Sequence, residues 1–272
     1  MKIWNEEKCI VGEGVLFDGR TNTVWFLDIR GKCLYKSQYP SGEYEKIDLP
    51  QWVGCIALCE DGGVLAAMED GVYRVDTMEL AHQPVTVKGD RFNDGKVGPD
   101  GAFYLGTSSV DGKGAFYRLR DGILTELFDG CACSNGLDWT TDGKKMYYID
   151  TPRQMVELFD FDAKTGSISN RRSFIEIPAQ WGKPDGMCLD NEDNLWVALW
   201  DGGSILHIDK NTGKVLEKIE MCCKRSSCCC FGGEDLSTLF ITSASIEEPS
   251  EGAGKTYALK LGVSGKPINY YK

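Results

Sequence analysis

Five residues carry the chemistry this sequence could perform: Glu13 in GEG, Arg91 and Asn93 in RFNDGK, Asn135 in SNGLDW and Asp185 in PDGM. Collected in one cavity, they would present two carboxylates and two amide oxygens beside one guanidinium. Facing carboxylates repel and resist desolvation unless a cation neutralises them. Oxygen donors without imidazole or thiolate suit Ca²⁺, Mg²⁺ or Mn²⁺ better than a dedicated zinc site. An Arg beside such donors is placed to hold substrate oxygens. Taken singly, each residue is a weak signal, because Asn-Gly and Asp-Gly are ordinary turn pairs. Asp18, Asp61, Asp100 and Asp142 are read as turn residues for that reason. A shared place in a repeat sets the five apart.

The elements that must position them recur along the chain. Strand-like runs rich in β-branched and aromatic residues appear six times, as VWFLDI, GVLAAM, AFYLGT, KMYYID, NLWVAL and TLFITS. An acidic or glycine turn pair precedes each run, and successive pairs are 43, 39, 42, 50 and 42 residues apart. A second strand follows each run, as in KCLYKSQ or SILHID, and often a turn and a further apolar segment. About four strands per unit and six units predict an all-β fold. The expectation is a single six-bladed β-propeller domain over residues 1–272, with four-stranded blades around a central, metal-containing channel. A two-sheet sandwich would give no reason for six similar periods. The N-terminal WNEEKCIV is a candidate to complete the last blade.

The strand ahead of each turn pair is expected to be innermost. With WFLD (25–28) laid under YYID (147–150), Glu13 falls at the phase of Asn135. Asn93 and Asn135 both precede their turn pairs by seven residues, and Asp185 aligns within one residue. Gly54 and Cys228 take this phase in blades two and six. Equivalent positions on inner strands point into one cavity, so the register converges Glu13, Asn93, Asn135 and Asp185 on the channel. Arg91 alternates to the same side as Asn93.

Composition narrows the function further. With 41 acidic against 30 basic residues, the net charge of −11 leaves no electrostatic footprint for nucleic acid. No apolar run approaches the ~20 residues of a membrane helix. The N-terminus reaches Glu6 and Glu7 before any apolar stretch, unlike an export signal. The twelve cysteines include no C-x-x-C pair, and vicinal runs such as Cys228–Cys230 are poor disulfide geometry. Free thiols in a reducing cytoplasm are therefore expected. The only histidines, His82 and His207, sit in no motif and are set aside as structural. Neither a G-x-S-x-G elbow nor a phosphate-binding P-loop is present.

The inner-strand segments resemble the senescence-marker-protein/regucalcin/gluconolactonase family, six-bladed propellers that bind a divalent metal. The matching motifs are GEG (12–14), RFNDGKV (91–97), SNGLDW (134–139), SNRRS (169–173), PDGMC (184–188) and CCFGG (229–233). The resemblance implies that Glu13, Asn135 and Asp185 hold one divalent cation. Ca²⁺ is the first choice, with Mg²⁺, Mn²⁺ or Zn²⁺ as alternatives. It implies that Arg91 and Asn93 meet the substrate and that Asp185 is also the general base. The activity implied is metal-dependent opening of a sugar lactone to its aldonic acid. A small sugar lactone is then the partner, with no nucleic acid, membrane or obligate protein partner. The alternatives are a calcium-binding or interaction propeller without catalysis, or a related ester or phosphotriester hydrolase.

Some relatives carry a longer segment after the RFND blade, with an acidic residue that helps position substrate. Here the segment is GTSSVDGKGAFYRL, and Asp111 is its only acid. Trp181 and Trp200 flank the PDGM strand and offer either a sugar-stacking face or blade packing. Ser226 and Ser227 are candidates for a hydroxyl at the rim of blade six.

Overall fold

The computed structural model describes residues 1–272. The six apolar runs of the repeat all form strands, at 23–28, 64–67, 103–108, 145–150, 195–200 and 238–243, and these strands are almost wholly buried. Burial on both faces is what the second strand of a blade requires, since a neighbouring blade covers each side. That explains why these runs are continuously apolar and aromatic rather than alternating. Inner strands precede them at 12–18, 55–58, 91–97, 134–139, 183–189 and 226–232. No α-helix forms; the only helical segments are one-turn 3₁₀ pieces at Thr151–Arg153 and Ala179–Trp181.

The strands assemble into six antiparallel sheets, one per repeat. Five sheets have four strands. Blade two has three, and a single bridge from Tyr73 to Leu80 stands where its fourth strand would run. The chain there continues into His82-Gln83-Pro84, and proline cannot donate to a ladder. Blade six is built from both ends of the chain. Strand 2–5 (KIWN) pairs with strand 256–260, Lys2 opposite Ala258, so the N-terminus does supply the outer strand and close the ring, but of WNEEKCIV only Trp4 and Asn5 belong to that strand.

The core consists of six hydrophobic clusters, one at each blade-to-blade seam. Phe92, Phe103 and Leu105 pack on Cys55 and Leu65 between blades two and three. Tyr104, Phe116, Trp139 and Tyr148 fill the next seam. Trp196 meets Phe231 and Leu239 between blades five and six. Burial of this apolar area at about 25 cal/mol per Å² dominates the stability of the ring. Both histidines serve this scaffold. His82 accepts a hydrogen bond from the Val72 amide, and His207 stacks on Trp196 with centroids 4.1 Å apart. All twelve cysteines are free thiols, and no helix is long and apolar enough to cross a membrane.

Candidate functional site

The inner strands pass through the channel, and five of the six are irregular at one point. Pairing with the second strand slips between Glu13 and Leu16, Phe92 and Gly95, Ser134 and Leu137, Pro184 and Met187, and Ser226 and Cys229. Such bulges break the ladder locally and re-aim side chains. Asn93, Asn135 and Asp185 lie within these slips, and Glu13 borders one. Gly14, in the first, takes a φ of +57° that a side chain would disfavour. Gly136, after Asn135, sits so close to blade five that a Cβ there would lie 2.6 Å from the Asp185 carbonyl oxygen. The glycines following the polar residues thus let neighbouring inner strands crowd together.

Two buried aspartates anchor the chain entering these strands. Asp28 accepts from the Ile10 and Val11 amides at 2.7 and 3.0 Å. Its counterpart Asp150 accepts from the Cys133 amide at 2.7 Å. Each ends a second strand opposite the residue just before Glu13 or Asn135.

The structure brings all five sequence-selected residues together. Glu13, Arg91, Asn93, Asn135 and Asp185 line one cavity of about 330 Å³ at a mouth of the channel. All but the half-buried Arg91 are buried. A hydrogen-bonded chain crosses three blades. Arg91 Nη1 donates to Asn93 Oδ1 at 2.6 Å, and Asn93 Nδ2 donates to Asn135 Oδ1 at 2.9 Å. Asn135 Nδ2 donates to Thr151 Oγ1 at 2.7 Å, and that hydroxyl donates to the Pro184 carbonyl at 2.7 Å, one residue before Asp185. Thr151 therefore fixes which way the Asn135 amide faces, leaving its Oδ1 to accept from Asn93.

The electrostatics are unfavourable to two ionised acids. Burial, then the nearby Asp94 charge, raises Glu13 to about 8. Burial, with repulsion from Glu13 and Asp94, holds Asp185 well above the usual carboxylate range. Asp94 itself is pushed up to about 6, chiefly by burial. Arg91 opposes these shifts but does not cancel them. Cys133, beside the two asparagines, is raised to about 12 by burial and stays a neutral thiol. No three His, Cys, Asp or Glu side chains gather as a metal cluster. The donor set of Glu13, Asn135 and Asp185 instead completes itself with an amide. Its hard oxygens and uncompensated acidity fit a divalent cation.

The sequence reading missed several residues here. Arg30, Trp52, Thr151 and Lys183 also line the cavity. They lie in loops, at a strand start or, for Thr151, at the start of the one-turn 3₁₀ segment, where no period marks them. Trp200 lines it as well, whereas Trp181 is not part of the lining. Ser226 and Ser227 are not at the rim. Both are fully buried, with Ser226 donating to the Leu199 and Ser204 carbonyls and Ser227 to the Gly12 carbonyl. The slip in blade six turns them into the seam. Asp111 is on an exposed turn, paired with Lys113 at 2.6 Å, and lines a separate polar depression.

The later residues of the same strands line a second, more apolar cavity of about 260 Å³, among them Asp94, Lys96, Asp138 and Met187. The C-terminal tail crosses it. Asn269 donates to the Val97 carbonyl, Tyr270 to Asp18, and the Tyr271 amide to the Leu58 carbonyl.

Comparison with known proteins agrees with this architecture. The family described as SMP-30/Gluconolactonase/LRE-like region matches residues 11–245. Regucalcin of Danio rerio is 39% identical over 287 residues, covering 98% of this chain and 96% of that protein. A luciferin-regenerating enzyme superposes with a TM-score of 0.90 at 29% identity, covering 100% of this chain and 98% of the other. A calcium-binding protein, regucalcin from Agrobacterium tumefaciens, gives a TM-score of 0.90 at 27% identity, with 100% and 97% covered.

Proposed function

Because this chain belongs to the SMP-30/gluconolactonase/LRE-like family, we propose that it hydrolyses a sugar lactone to the aldonic acid with the help of one divalent cation, Ca²⁺ first among the candidates. One observation supports this reading above the others: buried Glu13 and Asp185, with Asn135, share a cavity with Arg91 and Asn93. A purely structural channel would have no use for buried acids facing a substrate-sized opening.

Glu13, Asn135 and Asp185 would hold the cation. When bound, it would supply Lewis-acid stabilisation of the negative charge developing on the lactone carbonyl oxygen. Arg91 and Asn93 orient the carbonyl and ring hydroxyls, with the Arg91–Asn93 hydrogen bond pre-setting both. Asp185, ionised once its repulsion with Glu13 is relieved, takes a proton from the attacking water. The acyl–oxygen bond of the ring then breaks, and the same proton passes to the departing ring oxygen. A sugar lactone in free solution is the only partner this requires.

The test is proton release from glucono-1,5-lactone and a panel of aldonolactones, above the spontaneous rate, with and without EDTA. Chelator-sensitive excess hydrolysis is expected, and Asp185→Asn should reduce it by about 10³-fold or more. A second reading, calcium binding without catalysis, is favoured by the description of the Agrobacterium relative as a calcium-binding protein. Tight Ca²⁺ binding with no excess hydrolysis of any lactone would establish it instead.

A further inference from the structure

The mouth of the channel gathers positive charge on a chain whose net charge is −11. Arg30, Arg91 and Lys183 come from blades one, three and five to line the same cavity. Lys183 is matched by Asp201 at 3.1 Å. Arg91 uses one nitrogen on the Phe92 carbonyl and on Asn93, leaving the rest of its guanidinium uncommitted. Arg30 has no carboxylate partner. It is exposed, and its guanidinium carbon stands 5.4 Å from the ring centre of Trp52. Trp52 is held in turn by its own amide, which donates to Glu69 at 3.1 Å.

Charge counting at this mouth leads to a ligand. Burial lowers the pKa of Arg91, and repulsion from Arg30 adds to that effect, so the two guanidiniums sense each other. Arg30 and Arg91 line the same cavity with no carboxylate in contact, whereas Lys183 is already paired with Asp201. An anion from solution is the missing complement. Arg91 already belongs with the reacting carbonyl through Asn93. Arg30, with Trp52 beneath it, is free to take a group at the other end of the ligand.

We propose that the preferred substrate is a sugar lactone carrying a second, ionised group away from the reacting carbonyl, a carboxylate or a phosphate, and that Arg30 on Trp52 selects it. The inference rests on the lactonase reading and specifies its substrate class. A guanidinium stacked on an indole keeps its in-plane donors free, which suits bidentate capture of either oxyanion.

The experiment has two arms. In the first, kcat/KM is compared for glucono-1,5-lactone, glucaro-1,4-lactone and 6-phosphoglucono-1,5-lactone with the wild type and Arg30→Gln. At least one charged lactone should exceed the neutral one by about tenfold, the size of one charge-assisted hydrogen bond, and Arg30→Gln should remove that ratio. The arm that responds tells carboxylate from phosphate. In the second, calorimetry measures binding of D-glucarate and 6-phosphogluconate, with gluconate as reference and no turnover. The extra anion should tighten binding in the wild type only. Equal ratios for charged and neutral lactones, or a preference that survives Arg30→Gln, would overturn the proposal while leaving the lactonase reading standing. If no lactone is hydrolysed, the calorimetric arm decides alone: Arg30-dependent binding of the dianion supports the anion site, and its absence overturns it. Arg30 is exposed, so thermal melts of the variant should match the wild type and rule out misfolding.

Discussion

At the scale of single residues, the site is a competition between burial and charge. Glu13 and Asp185 are buried where neither ionises readily alone, and Asn135 offers a neutral oxygen that adds no repulsion. Orientation of that amide depends on Thr151, a positioning residue that links blade four to the backbone beside Asp185. Two variants separate donor from support. Glu13→Ala should abolish measurable binding of the cation in calorimetry. Thr151→Val should weaken it by about 10- to 100-fold, the usual cost of losing a group that orients a ligand. Full affinity in Thr151→Val would mean that the amide is held by Asn93 alone. Sequence pattern located Glu13, Asn93, Asn135 and Asp185 because they sit on inner strands at nearly one phase of a repeat, and Arg91 because it alternates to the same side of the strand as Asn93. It could not locate Thr151, Arg30 or Trp52, since loops and one-turn 3₁₀ pieces carry no periodicity.

At the scale of elements, the blade is the unit, and its second strand is the readable part. Burial on both sides demands runs such as VWFLDI and NLWVAL, which stand out in any sequence. Outer strands are legible only by alternation, and strand 44–48 is mostly exposed. The missing fourth strand of blade two was not legible, because one proline and one bridge decide it. Ser226 and Ser227 were misplaced because a bulge, which shifts side chains by a residue, leaves no mark in composition. The closure of blade six depends on a short strand anchored by Trp4, which lies 5.1 Å from Phe240 and 5.6 Å from Tyr39, centre to centre. Trp4→Ala should therefore destabilise the ring by about 2 kcal/mol, below the cost for a fully buried tryptophan, as read from denaturant midpoints. A loss under a few tenths would show that the clasp contributes little.

At the scale of the whole molecule, channel acidity couples stability to pH. Raised carboxylates make the folded state bind more protons than the unfolded one, so stability falls as pH rises. For Asp94 the fall spans 3.8 to about 6, and for Glu13 4.5 to about 8. Lowered carboxylates such as Asp138 and Asp190 give up their contribution only as pH falls below the ordinary range. Between pH 5 and 8 the raised groups therefore set the slope. Metal-free protein should unfold at lower denaturant at pH 8 than at pH 5.5. Excess Ca²⁺ should stabilise it more at pH 8, where protons compete less. Denaturant titrations at both values, with EDTA or Ca²⁺, check this; a flat, cation-independent midpoint would show that the acids are balanced some other way.

The joining of residues 2–5 to residues 256–260 also sets an order of events during synthesis. Strand 2–5 has no partner until residues 256–260 have followed it from the ribosome. Blades one to five can stack in sequence, but the ring stays open and the edge awaiting that strand is made last. Throughout this interval KIWN is an unpaired segment, and an unpaired strand invites pairing with other chains. Its design limits that hazard: four residues only, with Lys2 inside and Glu6, Glu7 and Lys8 following. A nascent chain of this protein should be most vulnerable to aggregation while five blades are assembled and residues 256–260 have yet to emerge.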